Sequence, residues 1–351
     1  MVKDELPRIL GNEKTTRPES NYQRLIRFFQ LDDSEKASLT KSLLCLSFCM
    51  LNQKSCKPKY LTLDGTSWEY GNKKIHLLTL GIVISGISVP IWWEDLDKKG
   101  TSNFEERKSL MERACELYDL SGMILLADRE YIGERWFKYL KGKGLGFVIR
   151  LKKGIYKEYI DTQRSGSDKN FKHQKWRYRG MEQEAQKGTY KSCGVAKEVK
   201  ILGEKYTFVV FKNPKTDAEE PLVYFLSTLK KKVQIVKAYP IRWSIETCFK
   251  HLKTNGFNLE AMNFKKSSKI KLMLGIVTFL YAMCIGRGWL QYKTFKKSDW
   301  KTYKDGKVSL AISVFKKGLS YLAAKMYNLK TFSWFLTKSL RKNKCPFWVK
   351  I

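Results

Sequence analysis

Residues 238–253 read AYPIRWSIETCFKHLK and set one carboxylate among side chains that bind phosphate. Tyr239, Arg242, Glu246 and Lys253 follow one another at intervals of three, four and seven residues, which on a helix places them along one face. Ile245, Cys248, Phe249 and Leu252 would then turn towards a core. An ordinary solvated charged face has the same pattern. Pro240 is tolerated at a helix start and not in its interior, so Tyr239 is expected just before the regular helix. Two aspartates far upstream also stand in suggestive places. Asp64, in LTLDGTSW, follows apolar strand residues, where a carboxylate is costly unless paired or metal-bound; a turn-forming aspartate at a strand end looks alike. Asp128, in MILLADREYIG, ends an apolar run and precedes a helix. Sites in open sheets gather at the carboxyl ends of strands, although an N-cap aspartate would occupy the same position.

The elements around these residues predict an α/β fold. YLTLDGTSW, KIHLLTLGIVIS and ISVPIWW are β-rich runs joined by short turns and read as an antiparallel meander. Residues 102–120 form an amphipathic helix with Phe104, Leu110, Met111, Ala114, Leu117 and Tyr118 at helical spacing. GMILLAD is a short buried strand, and residues 131–144 are a second helix. The order β-β-β-α-β-α is that of a ribonuclease H-like core, a mixed sheet flanked by helices. Residues 145–230 break this rhythm with alternating segments between Gly, Lys, Asn and Pro turns, a β-rich insertion between Asp128 and Glu246. The chain accordingly divides into a helical segment at 1–58, a first core part at 59–144, the insertion at 145–230, a second core part at 231–290 carrying the Glu246 helix, and a basic carboxyl-terminal region at 291–351. The first of these reads equally as a small DNA-binding or leader domain and as a helical extension packed on the core, and the last is a candidate for dimerisation.

Composition narrows the partners. The 351 residues include 67 Lys and Arg against 34 Asp and Glu, a formal charge of +33. The cations run along the whole chain, a distribution that attracts polyanions and favours nucleic acid over an anionic membrane. Basic clusters at 138–158, 172–179, 264–271 and 293–307 are candidate DNA tracks. The charged start after Met1 lacks the apolar stretch of a secretory signal. The apolar run at 272–286 is too short to cross a bilayer and reads as a buried helix. There are eight cysteines, none in a CxxC pair, and three scattered histidines. This excludes a zinc site built from clustered nitrogen and sulfur ligands and fits reduced thiols in a cytosolic protein.

The spacing Tyr239-x2-Arg242-x3-Glu246-x6-Lys253 resembles the signature of the DDE transposases of the bacterial insertion-sequence-four family. LTLDGTSW resembles the context of that family's first aspartate, and LLADREYIG followed by LGFVIRLKKG resembles that of its second. The resemblance covers about residues 58–290. Glu130 stands where the family often has glycine, and Pro240 interrupts its helix.

The resemblance implies that Asp64, Asp128 and Glu246 are the catalytic residues and the ligands of two Mg²⁺ ions, for which Mn²⁺ substitutes. It implies DNA contacts by Tyr239, Arg242, Lys253, Trp243, Arg129 and Trp176. Some relatives stack a flipped base on a tryptophan of the insertion; here Trp176, Tyr178 and Tyr224 are the candidates. The implied activity is cut-and-paste transposition of an insertion sequence by hydrolysis, hairpin formation and strand transfer. The implied partners are duplex DNA with terminal inverted repeats, target DNA and a second copy of the chain, with no membrane. The implied location is the cytoplasm, at the bacterial nucleoid. The competing reading is a catalytically silent regulator that occupies DNA ends without cutting them.

Overall fold

The computed structural model describes residues 17–51, 57–70, 73–98, 100–162, 178–187, 194–213, 220–261, 264–292, 296–303, 306, 308–326, 328–342 and 345–350. Its centre is one sheet of eight strands. The strands are β1 (Tyr60–Tyr70), β2 (Lys73–Ile84), β3 (Ile87–Asp95), β4 (Ile124–Ala127), β5 (Gly146–Leu151), β6 (Gly194–Ile201), β7 (Glu204–Lys212) and β8 (Leu222–Ser227), in the order β3-β2-β1-β4-β5-β8-β7-β6. The first three form an antiparallel meander, and β4 and β5 add to β1 in parallel. That is the ribonuclease H-like arrangement expected of a β-β-β-α-β-α order. Gly146–Leu151, at the head of the 145–230 segment, is the parallel partner of β4, and β8 and β7 continue the same sheet antiparallel beyond it.

Parallel neighbours need helical crossovers. The first is α3 (Phe104–Leu117), the second α4 (Glu134–Gly142); the chain enters the sheet through α1 (Pro18–Phe29) and α2 (Asp33–Met50). α3 starts on a capping box: the Asn103 side chain accepts from the Glu106 N–H at 2.9 Å, and the Glu106 carboxylate accepts from the Asn103 N–H at 2.7 Å. This satisfies backbone donors that a helix start leaves unpaired. Short helices α5 (Lys157–Thr162) and α6 (Tyr178–Lys187) lie within the insertion. After β8 come α7 (Lys232–Ala238), a 3₁₀ turn (Tyr239–Trp243) and α8 (Ser244–Lys253). Pro240 sits in the 3₁₀ turn, where its missing N–H cannot continue α7, and the regular helix α8 begins after it.

The two faces of the sheet bury different sets. Leu61, Leu63, Leu125, Ala127, Phe147 and Ile149 face the main core with Leu110, Met111 and Ala114 of α3. Ile124, Leu126 and Val148 face the other way, against Ile235 and Ala238 of α7. Strand alternation makes this division, and it decides where polar residues continuing the same rows point.

The apolar run of the sequence lies in α9 (Ser267–Gln291), a 25-residue helix. It is long and apolar enough to span a bilayer, but 72% of its most apolar window is buried inside the protein. It crosses α10 (Val314–Met326) so closely that a Cβ at Gly288 would come within 1.9 Å of the Val314 carbonyl oxygen; only glycine allows that approach. A small ribbon of β9 (Trp300–Thr302) and β10 (Val308–Leu310) and a last helix α11 (Leu329–Lys342) complete the carboxyl-terminal part. The thiols of Cys45, Cys49, Cys115, Cys248, Cys284 and Cys345 are free.

Candidate active site

The parallel register of β1 and β4 brings the two aspartates together. Leu63 is the partner of Ala127, the last pair of that ladder, so Asp64 and Asp128 are the next residues on adjacent strands, which run about 4.8 Å apart. Asp128 continues the row of Ile124 and Leu126, and therefore faces the side covered by α7 and the 3₁₀ turn. Asp64 lies inside β1, opposite Thr79 of β2; Asp128 begins the turn after β4, closed by the Tyr131 N–H donating to the Asp128 carbonyl at 3.0 Å. Each carboxylate also accepts from the N–H of the next residue, Gly65 at 2.9 Å and Arg129 at 2.7 Å.

The segment after α7 covers this pair. Arg242, in the 3₁₀ turn, is buried. It donates from Nη1 to Asp64 Oδ2 at 3.2 Å and from Nη2 to Glu246 Oε1 at 2.6 Å. Glu246 belongs to the first turn of α8, one helical turn from Arg242. Tyr239 Oη donates to Asp128 Oδ1 at 3.2 Å, while its ring packs on Phe225 at 4.7 Å. One stretch of eight residues thus touches all three acidic side chains that the sequence singles out. Ile245, Cys248, Phe249 and Leu252 of α8 are buried on its other side.

Charge in this pocket is finely balanced. Burial pushes the Asp64 carboxyl up to about 6, opposed by Arg242 and the Gly65 N–H and reinforced by Glu246 and Asp128. Burial pulls the Arg242 guanidinium down, but Tyr239, Glu246, Asp128 and Asp64 together hold it above its ordinary value. The Tyr239 hydroxyl is raised by burial first and then by Asp128. Among the described residues, no three His, Cys, Asp or Glu side chains are gathered closely enough to hold a metal ion; the Arg242 fork lies between two of them. The donor chemistry nevertheless suits a hard dication. The groups that meet here are carboxylates, which Mg²⁺ and Mn²⁺ prefer to thiols, and their mutual repulsion is part of what raises Asp64.

The remaining residues implied by the resemblance spread around this centre. Lys253, at the end of α8, donates to the Ser67 carbonyl of β1 at 2.5 Å, pairs with Glu260 at 3.3 Å and lies over the Trp68 ring. Trp243 is 59% exposed beside the pocket, with the Arg242 guanidinium 5.8 Å from its ring centre. Arg129 pairs with Glu220 at 2.7 Å, and Glu220 also accepts from Arg150 of β5. Tyr178 and Tyr224 are buried and stacked on each other, 5.8 Å apart and 10° from parallel; this pairing corrects their candidacy for stacking on a base. Trp176 lies outside the described residues.

Two residues near the pocket escape a reading based on carboxylate motifs. Arg107 of α3 is buried and donates to the carbonyls of Glu130 at 2.9 Å and Ile132 at 3.4 Å, in the loop that follows Asp128. Tyr131, also buried, lies against the Arg107 guanidinium at 5.2 Å. A signal was present: Arg107 falls on the apolar stripe of its helix, three residues after Phe104 and three before Leu110, where a charge needs partners.

The chain matches the transposase DDE domain family over residues 56–283, well over half its length, and belongs to that family. No curated protein matches it. Among solved structures it is similar to the cryo-EM structure of a piggyBac transposase synaptic complex with hairpin DNA. The TM-score is 0.40 and the sequence identity 13%, covering 81% of this chain and 54% of that one. The chain thus spans about half the length of that transposase.

Proposed function

We propose that this protein is a DNA transposase of the insertion-sequence-four type, with Asp64, Asp128 and Glu246 as its catalytic carboxylates. The observation that carries this reading is that Arg242 pairs with both Asp64 and Glu246 while Tyr239 holds Asp128. A single turn thereby joins three acids brought from distant parts of the chain.

The three carboxylates would hold two Mg²⁺ ions, or Mn²⁺ in their place; such ions acidify water and stabilise the leaving oxygen of an in-line displacement. The protein's own residues supply binding and orientation. Arg242 offers a planar fork that suits phosphate as well as carboxylate. Arriving DNA would draw it from the acids to a backbone phosphate and free them as ligands. Tyr239 and Arg129 offer further donors beside Asp128, and Lys253 a point charge at the far end of α8. Such backbone contacts fix register without reading sequence. Trp243 presents an exposed ring for a displaced base. The net charge of +33 favours a long DNA track.

The reaction proceeds by hydrolysis at the element end, freeing a 3′-hydroxyl. That hydroxyl attacks the opposite strand and closes a hairpin; water reopens it, and the 3′-hydroxyl then attacks a target phosphodiester. Each exchange forms one P–O bond as another breaks. The partners are duplex DNA with terminal inverted repeats, target DNA and a second copy of the chain.

A cleavage assay on duplexes carrying the element's terminal repeats, with Mg²⁺ or Mn²⁺, tests the proposal. Wild-type protein should yield nicked and hairpin products, and Asp64→Ala should bind these ends without cutting. Equal cutting by the variant rejects the site. Binding without cutting by the wild type, under either metal, replaces the transposase with an end-binding regulator.

A further inference from the structure

Arg107 spends a buried guanidinium on neutral oxygens. Nε donates to Ser102 Oγ at 2.9 Å, Nη2 to the Ser102 carbonyl at 2.6 Å and to the Glu130 carbonyl at 2.9 Å, and Nη1 to the Ile132 carbonyl at 3.4 Å. Burial of a cation is costly unless its donors are satisfied, and only the planar fork of arginine reaches several fixed acceptors at once. Two of those acceptors flank Tyr131, whose N–H closes the turn that begins at Asp128. On its other side Tyr131 reaches β1. A Cβ at Gly65 would come within 3.7 Å of its hydroxyl and 3.2 Å of His76 Nε2, so the ring tip sits beneath β1 at the residue after Asp64. Arg107, Tyr131 and the 128–131 turn therefore lie together beneath the two aspartates, on the sheet face opposite Arg242.

We propose that Arg107 is a positioning residue: through the Glu130 and Ile132 carbonyls and the Tyr131 ring it fixes the angle at which Asp128 meets Asp64, and so sets the affinity of the pocket for its divalent cation. The inference rests on the assignment of Asp128 as a ligand. Loss of the fork leaves the turn free to relax, and outer contacts of this kind typically change metal affinity about 10- to 100-fold.

The test measures Mn²⁺ binding to the full chain without DNA, by the loss of free-ion electron paramagnetic resonance signal, beside thermal midpoints and the Mn²⁺ dependence of cleavage. Arg107→Lys keeps the charge and loses the fork. It should bind Mn²⁺ about tenfold more weakly, hold DNA within twofold of wild type, and recover cleavage at raised Mn²⁺. Ser102→Ala removes one anchor of the fork with little risk to folding, and should weaken Mn²⁺ binding about threefold. Where Arg107→Lys does not fold, Ser102→Ala decides. A lowered midpoint with unchanged Mn²⁺ affinity in the folded variants overturns the positioning role and leaves a structural one. Asp128→Ala separates the premises. If it loses Mn²⁺ binding while the Arg107 and Ser102 variants keep theirs, only the positioning role falls; if it binds Mn²⁺ like wild type, the site assignment falls and takes this inference with it.

Discussion

Arg242 reaches Asp64 across 178 residues of sequence, Nη1 to Oδ2 at 3.2 Å, with its other terminal nitrogen on Glu246 one helical turn ahead. The guanidinium thus bridges two of the three acids that would otherwise repel each other in a half-buried pocket and offsets one of their charges. An arginine is well suited to this, because it remains charged whatever the pH and its fork spans two carboxylates. The same fork can exchange one anion for another, so the residue that steadies these carboxylates would also suit a phosphate.

Arg242→Ala should therefore have opposite effects on stability and on metal binding. Removing one partner of a buried pair costs about 3–5 kcal/mol, and denaturant unfolding in metal-free buffer should show a loss of that order. Without the competing cation, Mn²⁺ should bind more tightly in the absence of DNA and restore much of the lost stability. Affinity for DNA ends and hairpin yield should both fall. Unchanged Mn²⁺ affinity in the folded variant would show that Arg242 and the ion do not share ligands.

Lys253 connects the far end of α8 to β1 through the Ser67 carbonyl and pairs with Glu260 in the turn that follows the helix. Lys253→Met keeps the apolar stem over Trp68 and removes the charge. A hydrogen bond from a charged donor contributes about 1.5–3 kcal/mol; with the ion pair partly open to water, a loss near the lower end is expected in unfolding experiments. If the ammonium also meets a phosphate, the slope of log affinity on log salt should shrink by about one. A slope identical to wild type would confine Lys253 to holding α8 on the sheet.

His251 gives the stability a pH dependence. Its ring stacks on Phe315, 4.1 Å between centres and 21° from parallel, and its Nδ1 is enclosed with no hydrogen-bond partner among the described residues. Burial lowers it to about 4, against about 6.5 for a free histidine. The unfolded chain thus takes up a proton that the folded chain refuses. The associated stability is complete above pH 6.5 and is lost as pH falls towards 4, by on the order of 2 kcal/mol given the partial exposure of the ring. Denaturant midpoints between pH 7.5 and 4.5 should decline less steeply for His251→Phe than for wild type. Parallel curves would place the titrating group elsewhere.

How much of the site shows in the sequence depends on the range of the interaction. Tyr239, Arg242 and Glu246 are local, and Pro240 even marks where the regular helix starts. The strands around Asp64 and Asp128 are visible as apolar runs, but their adjacency depends on β1 pairing in parallel with β4, which no local pattern specifies. Arg242 has the same limit: its spacing to Glu246 is a helical turn, while its bond to Asp64 exists only once the sheet has formed. Arg107 sits on the apolar stripe of its helix, which hints at burial, but the carbonyls it grips become visible only in the folded loop. β8 shows as a continuous apolar run, LVYFLS, yet its antiparallel seat beside β5 exists only once the sheet has formed. Short-range geometry is written in residue types; long-range neighbours are set by topology.

Trp243 presents an exposed aromatic ring beside the three carboxylates. It directly follows Arg242, stands 59% exposed and holds the guanidinium 5.8 Å from its ring centre. Nothing in the fold depends on the outer face of the ring, so Trp243→Ala should change unfolding free energy by no more than about 0.5 kcal/mol, as for other surface sites. Stacking of a base on an aromatic ring is worth about 1–3 kcal/mol. If the ring receives a base displaced at the cut end, the variant should bind intact duplex normally and lose about tenfold or more in hairpin formation. A 2-aminopurine placed at the terminal nucleotides reports the event directly: its fluorescence should be quenched on stacking with wild-type protein and remain high with the variant. Equal quenching by both proteins would mean that another group accepts the base, or that none is displaced.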